Sequence, residues 1–80
     1  MDVDGGVALA AGIALTGLSV PAVWIEYHQL GGMLSRVRLD AYIAGTECWP
    51  DLEHDVATHA VNEALWESGM GSAVPYASEL

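Results

Sequence analysis

Residues 5–25 read Gly-Gly-Val-Ala-Leu-Ala-Ala-Gly-Ile-Ala-Leu-Thr-Gly-Leu-Ser-Val-Pro-Ala-Val-Trp-Ile, with no ionisable side chain anywhere in the run. A stretch of this kind shows no polar face, so it does not fit an ordinary helix with one side in water. Taken as one helix, residues 7–25 rise about 28 Å, close to the roughly 30 Å hydrocarbon thickness of a bilayer. The sequence therefore predicts one membrane-spanning helix over about 7–25. Thr16 and Ser19 bond back to helix carbonyls in this reading, and Pro21 kinks the helix against the carbonyl of Gly17.

The flanks fit the same expectation. Trp24 and Tyr27 fall where an interfacial aromatic belt lies, and Arg36 and Arg38 come a short distance later. Acidic Asp2 and Asp4 precede the run. By the positive-inside rule the N-terminus is expected outside and the C-terminus inside. A cleaved signal peptide fits less well, because its first residues should be basic and here they are Met-Asp-Val-Asp. The rival reading is a helix buried by other chains in a soluble assembly. Small residues recur every fourth position, as Gly6, Ala10 and Ala14 and as Ala8, Gly12 and Thr16. Such spacing lets helices approach closely, so a packing role is expected, either with a second copy or with a larger subunit.

Beyond the apolar run the chain is polar and acidic. Gly31-Gly32 should interrupt any helix. Residues 33–44 predict a short second helix, with Arg36 and Asp40 in pairing register and Gly45 as the stop. Residues 50–68 predict an amphipathic third helix. Pro50 suits its first position, Asp51 and Glu53 suit its dipole, and Gly69 ends it. Ala57, Ala60, Val61, Ala64 and Leu65 form its apolar face, with Asp55, Thr58, His59, Asn62 and Glu63 opposite. Residues 70–80 hold Gly71 and Pro75 and predict irregular chain. The fold class is thus all-α: one transmembrane helix, then two short amphipathic helices. The division falls between an N-terminal segment over 1–30 and an acidic helical region over 31–80.

Charge narrows the partners. Eleven Asp and Glu face two Arg and no Lys, for a net charge of −9. Nucleic acid is excluded as a partner, since phosphate binding needs a basic footprint. A lysine-free acidic chain also fits a salt-loving source, where carboxylates are screened. One cysteine, Cys48, precludes an internal disulfide and a four-cysteine zinc site.

Chemistry is thinly represented. Asp55, His59 and Glu63 are spaced four apart and are weak candidate metal ligands, but a solvated helix face produces the same stripe. Cys48 and His54 lie six apart without an evident orienting group or oxyanion site. His28 as a haem or chlorophyll ligand would stand beyond the span, unshielded. Gly31-Gly32 lacks the residues of a phosphate loop. No catalytic residue, cofactor site or firm metal site is expected. The expected role is a non-enzymatic membrane subunit with a structural or assembly part, in a membrane-containing virion or a membrane supercomplex. The expected partners are the bilayer and other subunits, or a second copy. The alternatives are a soluble helical shell component and a small pore-forming or lysis protein.

Overall fold

The computed structural model describes residues 4–71 and 73–80; Asp2, read above as an outer flank, lies outside the described residues. The chain is all-helical: α1 (Asp4–Thr16), α2 (Val20–Gln29), α3 (Arg36–Ile43), α4 (Asp51–Glu67), and a 3₁₀ turn at Ala77–Glu79.

The long apolar run is two helices, not one. α1 and α2 meet at 108°, and no single helix among the described residues is long and apolar enough to cross a membrane. The break has a local chemical cause. Gly17 takes φ +73°, a left-handed conformation that suits glycine and ends α1. Thr16 folds its hydroxyl back onto the Ile13 carbonyl and accepts the Leu18 amide. Ser19 then caps α2 by accepting the Ala22 amide at 3.3 Å. Pro21 stands in the first turn of α2, where its missing N–H is no loss, so it starts a helix instead of kinking one.

α1 is apolar all round yet one-sided in its packing. Gly5, Gly6, Leu9, Gly12 and Ile13 are buried, while Val7, Ala11, Ala14 and Leu15 face outward. The buried side rests on α3 and α4. A β-carbon on Gly6 would overlap the Tyr42 carbonyl oxygen, and one on Gly12 would overlap the Val74 side chain. The core joins Leu9 and Ile13 to Val23 and Tyr27 of α2, Leu39 and Tyr42 of α3, and Ala57, Ala60, Val61 and Leu65 of α4. Trp49 stacks on Tyr42 with ring centroids 4.6 Å apart, and Val74 closes the C-terminal side.

The other predicted helices appear with shifted edges. α3 begins at Arg36 because Ser35 caps it through the Arg38 amide, while the Met33 and Leu34 amides are bound by Glu53 and Tyr27. Pro50 is the N-cap of α4 instead of its first residue. Arg38 pairs with Glu47 at 2.9 Å, whereas the predicted pairing of Arg36 with Asp40 is not among the ion pairs of the described residues.

Candidate functional site

α4 carries an unexpected buried edge. His54, Thr58 and Asn62, spaced four apart, are all essentially inaccessible. For Thr58 and Asn62 this corrects the solvent-facing position that helical periodicity predicts. The reason is the C-terminal segment, which folds back over them and supplies the backbone groups they need.

Each contact in this ladder has a definite sense. The Asn62 carbonyl oxygen accepts the Ala73 and Val74 amides, both at 3.1 Å, and its amide donates to the Val74 carbonyl at 3.0 Å. His54 Nε2 lies 2.9 Å from the Pro75 carbonyl, which only accepts, so Nε2 bears the proton. Nδ1 is then an acceptor, and the Tyr42 hydroxyl donates to it at 2.7 Å. Thr58 Oγ1 stands 3.1 Å from Nε2. Asp55 accepts the Ala77 amide at 2.7 Å and so caps the 3₁₀ turn region. Among the described residues no buried side-chain polar atom is left unsatisfied.

A cavity of about 260 Å³ beside this ladder is lined by Tyr42, Cys48, Trp49, Asp51, His54 and Leu80, among others. Cys48 and His54 therefore do share a cavity. Both ring nitrogens of His54 are engaged by Tyr42, Thr58 and Pro75, so neither faces the thiol as a base.

The three metal candidates are not assembled into a site. His59 Nε2 lies 3.7 Å from Glu63, while Asp55 is turned to the Ala77 amide. Among the described residues no group of three His, Cys, Asp or Glu is placed to hold a metal ion.

The residues expected at a membrane interface divide. Tyr27 is fully buried, donates to Glu53 and accepts the Leu34 amide at 2.9 Å. Burial, and then the hydrogen bond to Glu53, push its hydroxyl up to about 12. Trp24 is half-buried, donates to the Leu34 carbonyl at 2.9 Å, and stacks on His28. Arg36 and Arg38 are exposed. Of the small-residue positions, Gly6 and Gly12 are buried within this chain. Ala8, Ala10 and Thr16 are half-buried and Ala14 is exposed.

The outer face of α1 and α2 exposes several large apolar side chains. Val7 is 58% exposed, Leu15 55% and Ile25 53%, with Leu18 beside them at the corner. A groove next to it is lined by Pro21, Trp24, Ile25, Ser35, Arg36 and Val37. No family model, curated protein or solved structure matches this chain.

Proposed function

We propose that the chain is a non-enzymatic helical assembly subunit that docks on a larger complex through the apolar side chains exposed on the outer face of α1 and α2. The observation that carries this reading is the exposure of Val7, Leu15, Leu18 and Ile25, all from the run 5–25 that holds no ionisable side chain. Contiguous apolar surface on a small domain marks an interaction site. The inner face of the same helices is already used by the core, so the outer face is left for a partner. Replacing Leu15 and Ile25 with Glu tests it. Both side chains point outward, so helical content and melting should hold while co-sedimentation with large complexes from the native cell is lost. A wild-type chain that migrates free and monomeric in gentle lysates would remove the proposal.

A second reading keeps the membrane. Taken together, α1 and α2 have the length and composition of a span, but with a bend of 108°. To cross a bilayer the pair would open at Gly17–Ser19, lose the Ser19 cap, and draw Leu9, Ile13, Val23 and Tyr27 away from the core. In that form Arg36 and Arg38 would favour the cytoplasmic side, with the N-terminus outside. Resistance to alkaline carbonate extraction supports this reading, and release into the soluble fraction defeats it.

A further inference from the structure

The outward edge of α4 is a different surface with a different character. Leu52, Asp55, His59, Glu63 and Trp66 succeed each other at three- and four-residue steps and so form one stripe along the helix. Leu52 is 72% exposed and Trp66 45%. Alongside the middle of the stripe runs an open groove of about 390 Å³, lined by Leu30, Asp55, Val56, His59 and Tyr76. Leu52 and Trp66 thus stand at the two ends of the stripe, with Asp55, His59 and Glu63 between them, and Glu67 adds another carboxylate at the C-terminal end.

The charge around this groove is of one sign. Residues 39–80 hold eight Asp and Glu and no Lys or Arg. Both arginines lie on α3, and Arg38 is paired with Glu47. We propose that this groove docks a cationic amphipathic helix of a partner protein. Apolar residues of the partner at i, i+4, i+7, i+11 and i+14 would seat along Leu52, Leu30, Val56 and Trp66, with flanking Lys or Arg against Asp55, Glu63 and Glu67. From Leu52 to Trp66 the stripe is roughly 21 Å long, about four turns of such a helix. Trp66 also offers an aromatic face to a cation.

Charge discriminates against the other occupants. Nucleic acid and anionic lipid are repelled by a chain of net charge −9. A second copy brings the same excess of carboxylates, and its one arginine-bearing helix, α3, is only eight residues long with Arg38 already paired to Glu47.

Two synthetic peptides of 16 residues, each of Leu and Lys in equal number, provide the probe. One is patterned as an amphipathic helix and the other is shuffled to have no apolar face. Amide shifts and calorimetry on the intact chain at neutral pH should show the patterned peptide binding, with shifts confined to residues 52–67 and the surroundings of Tyr76. Affinity should fall at least tenfold between 50 and 300 mM salt. The double variant Leu52→Ser with Glu67→Gln, both at exposed positions, should weaken it tenfold while leaving the remaining spectrum unchanged. Equal binding of the shuffled peptide would reduce the effect to net charge and overturn the proposal. So would shifts centred on α1 and α2, no binding at all, or self-association of the chain through α4.

Discussion

Asn62 combines three hydrogen bonds to chain 73–74 with complete burial. Removing its amide leaves two backbone N–H groups and one carbonyl without partners, each costing about 1–3 kcal/mol if water does not enter. Asn62→Ala should therefore lower stability by about 3 kcal/mol in urea melts, and hydrogen exchange at Val74 should accelerate more than exchange within α2. An unchanged midpoint would mean that the ladder contributes nothing net. Tyr27 makes a prediction of a different kind. Its hydroxyl is held protonated by burial and by Glu53, with a folded pKa of about 12 against 10.0 for the free side chain. A raised pKa means the native state binds the proton more tightly, so this contribution is full below pH 10 and is lost as pH rises to about 12. Tyr27→Phe should be less stable than wild type at neutral pH, and the gap should narrow across that window. A constant gap would exclude the linkage. Neither role was legible in the sequence. Asn62 reads as a surface residue because its partners are backbone groups, and backbone groups carry no residue code.

Among the elements, the α1–α2 corner is the most instructive. Gly17, Ser19 and Pro21 form a stop, a cap and a start within six residues, all visible in the sequence. Hydropathy concealed them, because a span and two buried helices draw on the same Ala, Leu, Ile and Val. Ser19→Ala should cost about 1 kcal/mol of stability, with Ser19→Asp restoring most of it. The same ambiguity covered the small residues. The stripes Gly6/Ala10/Ala14 and Ala8/Gly12/Thr16 suggest packing on a second copy or a larger subunit, whereas the atoms closest to Gly6 and Gly12 belong to this chain's own Tyr42, Val74 and Val61. In an open helix, Gly→Ala gains about 1 kcal/mol. At Gly12 that gain competes with overlap on Val74 and a 3.0 Å approach to Val61, and overpacking of this kind costs about 1–3 kcal/mol. Gly12→Ala should be destabilising. Gly6→Ala should be worse, since its obstacle is the Tyr42 backbone, which yields less than a side chain. Thermal melts giving both variants a higher midpoint than wild type would contradict the close packing of α1. The extents of α3 and α4, by contrast, were readable to within three residues, because their caps and glycine stops act locally.

For the whole molecule, the governing quantity is charge. A net −9 on 80 residues means mutual repulsion among carboxylates in the folded state, with one Arg–Glu pair to offset it among the described residues. Raising salt from 10 mM to 0.5 M contracts the screening length from about 30 Å to a few ångströms. The melting temperature should climb over that range, by several degrees, and calorimetry at three salt concentrations measures it. A flat response would show that the carboxylates are spaced widely enough to ignore one another.

The fold-back of residues 73–77 has a consequence for what a break in the chain would expose. Val74 is a wall against Gly12, and Asn62 and His54 fasten that wall from α4. A protease that nicks the exposed link at Gly71 would take away a side of the interior along with the severed piece. The remaining body would keep its helices but lose the side chain that packs over Gly12 and the backbone partners of buried Asn62.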